Sequence, residues 1–521
     1  MRNFKGNFLT LKTPVAALAT SLFMLGSAAH GASLPPIGVQ PVPNTPVAAL
    51  PAHADHAAIA TPSPQPGVQA TALSAAASTN FTREWVVSPS GNDGGDGSAA
   101  QPLRTINKAV GLAGPGELIR VQAGSYAERV IIGANAKAGT PEAKITLQGE
   151  GGARIIPGPG TGGMVQVRRP NWVIDGFTID VQRQPLFGVT FEGDVTGSML
   201  VNSELRDGGG GAAVTTFNKA TGAIIENNHI HGFVKNTGNK DSHGVVVQPT
   251  SKDITVRNND IHDNSGDSVQ CLGPEGFSSL PPAEGLLVEN NHFYGNRENA
   301  VDIKTCYGVV IRNNRMHNFR PTSTAKGDVL VVHYSASNVL VEDNEIYDGA
   351  KGISVGGNRS GPMPTGIVVR RNRVYNITNA GGGEGTGIRL ENSKGTVVVN
   401  NTVAATTTAL IMGHGTGGPT QTPVVRNNII EGTVAVDLGG QAPGLKLGNN
   451  LISPTGQFKR NGVVVSPDQF KATTGDASSI SGPPGLGEAF SPSTDAVDKG
   501  VDVGLPFCGG APDIGAVELG C

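Results

Sequence analysis

The segment AVDIKT, residues 300–305, carries a carboxylate and an amine two residues apart, Asp302 and Lys304. Side chains alternate along a strand, so Val301 and Ile303 point one way and Asp302 and Lys304 the other, roughly 7 Å apart. An outward pair of this kind can do acid–base work. Lysine accepts a proton when desolvation or a nearby cation lowers its pKa. A carboxylate beside it can hold a cation or orient a neighbour. The preceding segment, DSVQCL (267–272), offers Asp267 and Gln270, and the following one, DVLVVHY (328–334), offers Asp328 and His333. If these segments stack as strands about 4.8 Å apart, Gln270 or Leu272 flanks the pair on one side and His333 on the other. The plainer alternative is an exposed ion pair between Asp302 and Lys304, with Asp328 as a further partner; such pairs contribute little.

The elements that would position these residues are read from an internal repeat. AIIENNHI, ITVRNNDI, LLVENNHF, VVIRNNRM, VLVEDNEI, IVVRRNRV, TVVVNNTV and PVVRNNII place Asn228, Asn259, Asn291, Asn314, Asn344, Asn372, Asn401 and Asn428 at one equivalent position. Successive spacings are 31, 32, 23, 30, 28, 29 and 27 residues. Helical periodicity near 3.6 and the Leu-x-x-Leu-x-Leu of leucine-rich repeats are both absent. Short β-branched strands with an Asn at each turn predict coils of a parallel β-helix, each with two or three strands around a Val/Ile core. The recurring Asn residues would stack as a ladder at one turn and accept an αL conformation there. His229, His231, His262 and His317 follow the same period, which reads as exposed turn residues rather than a metal cluster. The coil from Asn291 to Asn314 is the shortest. It lies between the long segments 272–285 and 318–328, and 356–366 follows in the next coil. The coil of Asp302 and Lys304 would then be the floor of a walled groove suited to an extended polymer.

Both ends of this region carry a resemblance. WVVSPSGNDGGDGSAAQPLRTINKAVGLAGPGELIRVQAGSYAERV (85–130) and PDIGAVE (512–518) resemble the N-terminal and closing motifs of bacterial right-handed parallel β-helix proteins of the pectate-lyase-like superfamily. The resemblance spans roughly residues 85–521. It implies an all-β, right-handed parallel β-helix with a short capping helix over about 103–113. Activity is not fixed by the fold, which hosts lyases, hydrolases, epimerases and adhesins. By resemblance to the lyases, Lys304 would be a catalytic base and His333 a catalytic or substrate-contacting residue. Gln248, Gln270 and Arg359 would contact substrate, and Asp267 and Asp302 would hold Ca²⁺. The expected chemistry is β-elimination of a uronate glycan: a base removes the proton α to the carboxylate, and a cation or donor stabilises the enolate-like charge. The alternative is a non-catalytic carbohydrate-binding or surface-structural β-helix. Gly413-His414-Gly415 is similar to a polygalacturonase motif, but the Asp pair that accompanies it there is absent, as is the Asp-Pro-His-Asp of alginate epimerases. Asp93 and Asp96 could bind Ca²⁺, although a Gly/Asp turn is the commoner meaning of GNDGGDGS.

Composition bounds the rest. Gly is 74 of 521 residues, aromatics are 5%, and the formal net charge is -3, which gives no reason to expect nucleic acid. Arg2, Lys5 and Lys12, the apolar run 14–26 and a site before Ala32 read as an export signal over residues 1–31. Its apolar run is too short to span a membrane. Residues 32–80, rich in Ala and Pro, read as a disordered linker, leaving one β-helix domain over 81–521. The expected product is a secreted or periplasmic monomer that binds acidic polysaccharide. An oxidising compartment permits disulfides between Cys508 and Cys521 and between Cys271 and Cys306.

Overall fold

The structure is a computed structural model that describes residues 81–235, 241–273, 280–322, 325–357, 362–414, 418–487 and 490–521. The proposed signal and linker, residues 1–80, and Arg359 lie outside the described residues.

The chain winds as a parallel β-solenoid. One 16-stranded sheet runs along its axis, beginning with Arg83–Val87, Glu117–Val121, Ile145–Gly149 and Trp172–Asp175; fourteen of its strands follow one another coil by coil, and two short ones, Ser393–Lys394 and Thr420–Gln421, lie beside that path. Each central coil contributes two further strands. In the coil of interest, Tyr307–Arg312 belongs to the first sheet, His292–Tyr294 follows the preceding Asn corner, and Val301–Ile303 comes next. The pairing is parallel in register along the axis, for example Val269↔Val301↔Leu330 and Cys271↔Ile303↔Val332. Alternation does the sorting: Val301, Ile303, Ile311 and Met316 are fully buried in a core continuous from Trp85 to Phe470.

The Asn ladder holds each first corner. The side-chain carbonyl of Asn314 accepts hydrogen bonds from the backbone and side-chain amides of Asn291, at 2.9 Å each. Its own amide donates to the Val288 and Arg312 carbonyls, at 2.9 Å each, and to Asn344 at 3.0 Å. The ladder continues to Asn450. The αL residue is not the ladder Asn, as expected from sequence, but the one before it: Asn227, Asn258, Asn290, Asn313, Asp343 and Arg371 all have φ between 52° and 57°. The turn residue faces water, while the ladder residue turns inward to satisfy backbone groups that no strand reaches.

The histidines also differ from expectation. His229, His231, His262 and His317 lie on strands just past the corner, not in turns. Period-2 alternation puts every other residue of those strands outward, and the rings stack along the axis: His262–Tyr294 at 4.5 Å, His317–Tyr347 at 4.7 Å, Tyr347–Tyr375 at 5.0 Å.

The N-terminal coil is covered by a helix, Ile106–Leu112, with Thr105 as N-cap. Asp93 accepts from the backbone amides of Arg104 and Thr105 and from the Thr105 hydroxyl, so its carboxylate is part of the cap. A second helix, Pro467–Thr474, not foreseen from sequence, starts with a capping box between Ser466 and Gln469 and packs Phe470 on Phe458. The closing motif buries Ile514 against Ile429, Leu451 and Ala496. Both disulfides are present, Cys271–Cys306 and Cys508–Cys521. No helix among the described residues is long and apolar enough to cross a membrane.

Candidate active-site groove

An open groove of about 930 Å³ runs across the outer face of the third strand of successive coils. Strand register sets its floor: Val246, Gln270, Asp302, Val331, Ser354 and Arg389 form one outward column, each paired with the next. Lys304 and His333 lie two residues further along their strands. Leu272, Ala325, Lys326 and Gly357, from the segments expected to wall the groove, line it.

At its centre is Asp302, only 6% exposed. One carboxylate oxygen, Oδ1, is 2.8 Å from His333 Nε2. The other, Oδ2, accepts from the Gln270 amide at 3.3 Å and lies 3.9 Å from Lys304 Nζ. Burial acts to raise the Asp302 pKa, but His333, Lys304 and the Gln270 hydrogen bond outweigh it and hold the carboxyl below its ordinary value. The carboxylate is therefore ionised and accepts only, so the His333 nitrogen facing it is an N–H. Nδ1 is then the ring nitrogen that can take up a proton. The pair expected from sequence at Asp302 and Lys304 is real, but Asp302 is buried and Lys304 half-buried rather than solvent-exposed, and the carboxylate is shared with His333. Asp328 is held by other groups: Lys351 Nζ at 3.1 Å and the Ser354 hydroxyl at 2.7 Å.

The network extends to one side. Gln270 also donates to Asp267 Oδ2 at 2.8 Å, and that oxygen lies 3.2 Å from His243 Nδ1. Asp267 Oδ1 accepts from the Asn299 amide at 2.9 Å. Burial, then the nearby Asp302 charge, raises the Asp267 pKa against the opposing pull of His243. Beside it, Glu298 shares a hydrogen bond with Asp241; burial, the charge of Asp267 and that bond push its carboxyl up to about 9. Glu298 is thus a carboxylic acid at neutral pH. To the other side, Lys351 and Arg389 pair with Glu384, and Arg389 also with Glu391 at 2.7 Å.

The structure brings together five of the seven residues singled out in the sequence: Asp267, Gln270, Asp302, Lys304 and His333 form one connected cluster. Gln248 lines the same groove. Asp241, His243, Glu298, Lys351 and Arg389 were missed. His243 opens its strand and Glu298 lies just before the next coil's, and only coil stacking places them beside Asp267. For Ca²⁺ between Asp267 and Asp302, the local chemistry is unfavourable: an N–H donor, the Gln270 amide, lies between their facing oxygens, where Ca²⁺ takes six to eight oxygen ligands. The groups that converge tightly here are instead His243, Asp267 and Glu298, whose ligand atoms lie within 4.8 Å of one another.

The family described as "Right handed beta helix region" matches residues 243–430 and 330–473. A second, described as "Protein of unknown function (DUF1565)", matches residues 89–133, the N-terminal cap. Among solved structures, an alginate lyase, AlyF-OU02 in complex with G6, is similar at 14% identity and a TM-score of 0.51, over 73% of this chain and 86% of that one. The chain is a right-handed parallel β-helix. Other similar structures include a PL6 alginate lyase complex with trisaccharide, at 14% identity and a TM-score of 0.48 over 74% of this chain and 93% of that one. XylC with xylose has 12% identity and a TM-score of 0.47, over 78% and 87%. Comparison with curated proteins yields no match. At 14% identity the likeness of this β-helix to the alginate lyase AlyF-OU02 is one of fold.

Proposed function

We propose that this β-helix is an exported, carbohydrate-active protein that cleaves a uronate-containing glycan by β-elimination in the groove over Asp302. The observation that carries the reading is the buried, ionised Asp302, which orients His333 through one oxygen and holds Lys304 near the other. Lys304 was the base in the sequence-based expectation. Its ion pair with Asp302 suits it better to meet the substrate carboxylate and the charge that develops on it. His333, with Nε2 turned to Asp302, suits the base role: Nδ1 takes the proton α to the carboxylate, the electrons form the C4–C5 double bond, and the C4–O bond breaks. Glu298, a neutral acid in the same groove, can return a proton to the leaving oxygen. Export agrees with two disulfides, which persist in oxidising compartments.

The test is absorbance of the unsaturated uronate product from residues 81–521 and from the full chain, with pectate, alginate and chondroitin, each with Ca²⁺ and with chelator. A rise that is lost in both His333→Ala and Lys304→Ala supports the reading, and the chelator arm decides the calcium expectation. A rise unchanged in both variants removes the site assignment.

Glu298 favours a second reading. A carboxylic acid kept protonated at neutral pH is what hydrolysis of a glycosidic bond requires of its general acid. Release of reducing ends without the unsaturated product, lost in Glu298→Gln, would establish it. Glycan binding with neither product would leave the non-catalytic alternative.

A further inference from the structure

On the flank of the solenoid, away from the groove, two neighbouring coils set imidazoles and a carboxylate against one another. His229 and Asp260 are paired in register, as are His231 and His262. Asp260 and His262 therefore project from one strand, with His229 on the coil before. His229 Nε2 and His262 Nε2 are 2.7 Å apart. One ligand atom from each of His229, Asp260 and His262 lies within 4.8 Å of the other two.

Two further features point to a ligand. Asp260 shares a hydrogen bond with Tyr294, but its Oδ1 atom is buried without a hydrogen-bond partner, and His292 Nδ1 stands 3.6 Å from it. A buried oxygen without a donor is costly. His262 Nδ1 is 2.9 Å from Asp263 Oδ2. That is the outer carboxylate–imidazole arrangement that fixes the tautomer of a metal-ligating histidine and leaves its other nitrogen free to coordinate.

We propose that His229, His262 and Asp260 form a binding site for a divalent first-row transition ion of the Zn²⁺ type, which joins two consecutive coils. Imidazole and carboxylate ligands of this number suit Zn²⁺, not Mg²⁺ or Ca²⁺. Zn–N bonds of about 2.0–2.1 Å in a tetrahedral site put two nitrogens roughly 3.3 Å apart, so the two rings need only a small rotation. Glu204 and His231 flank the site and could complete the coordination, since they form a second close group with His229. One coil on, His292 Nε2 and His317 Nε2 are 2.9 Å apart. No third ligand completes a close group with that pair among the described residues, so it serves as an internal control.

The full chain, stripped with chelator and dialysed, is titrated with ZnCl₂ by calorimetry, with CaCl₂ in parallel. The expected result is one Zn²⁺ per chain and no Ca²⁺ at this site. The dissociation constant should rise about tenfold or more in His262→Ala and in the near-isosteric Asp260→Asn, and stay unchanged in His317→Ala. Circular dichroism of each metal-free variant checks folding. Absence of Zn²⁺ binding overturns the proposal. So does binding of equal strength in His262→Ala and Asp260→Asn, or loss of binding in His317→Ala to the same extent, which would mean general chelation by the ring ladder. The groove activity is read separately and does not enter this test.

Discussion

Replacing Glu298 by Gln tests the electrostatics of the groove directly. Glu298 has an ordinary value of 4.5 and is raised to about 9 in the fold. A raised folded pKa gives stability that is complete below the unfolded value and lost as pH climbs through the folded one. Between pH 5 and 8 the native protein keeps a proton that the unfolded chain releases. Each unit is worth 1.36 kcal/mol, so three units give about 4 kcal/mol lost. A fifth of the Glu298 side-chain surface meets solvent, and screening brings the expected loss to about 2–4 kcal/mol. Gln has no proton to keep, yet it preserves the shape and the donor toward Asp241. Glu298→Gln should therefore flatten the fall in stability between pH 5 and 8, leaving stability at pH 8 higher relative to pH 5 than in the parent. The assay is denaturant unfolding of both proteins at the two pH values, comparing midpoints at constant slope. An equal fall in the two proteins would refute the assignment of a raised Glu298 and, with it, the acid role proposed for that residue.

Two further outcomes concern the scaffold. Asn314→Ala removes the five ladder hydrogen bonds of that corner and strands buried backbone groups at about 1–3 kcal/mol each; a loss of about 3–5 kcal/mol in chemical unfolding is expected, and a loss under 1 kcal/mol would mean the ladder is not holding the coils. Changing both Cys271 and Cys306 to Ser opens a cross-link of 35 residues, expected to cost about 4 kcal/mol by loop entropy; an unchanged midpoint under non-reducing conditions would show that the bridge does not stabilise the groove coil.

The sequence alone determined the coil architecture, because the physics behind it is local and repeated. Strand alternation assigned Val301 and Ile303 to the core, and a polar residue recurring with the period had to sit where each coil turns. It also marked Asp302, Lys304, His333, Gln270 and Asp267 as neighbours, since an odd charged pair stands out against β-branched repeats and register then supplies the residues beside it. What it could not determine was which oxygen meets which donor. Whether the Asp302–Lys304 pair is exposed or buried depends on Gln270 and His333 closing over it from the coils on either side. The αL position at each corner was missed by one residue, because sequence shows two polar residues together and only the ladder geometry says which turns inward. The histidines were placed in turns because their period matches the corner. Their position on the adjoining strands, with rings stacked and His229, Asp260 and His262 brought together, follows from parallel register, which aligns residues about 30 apart in the chain and has no local signature in the sequence.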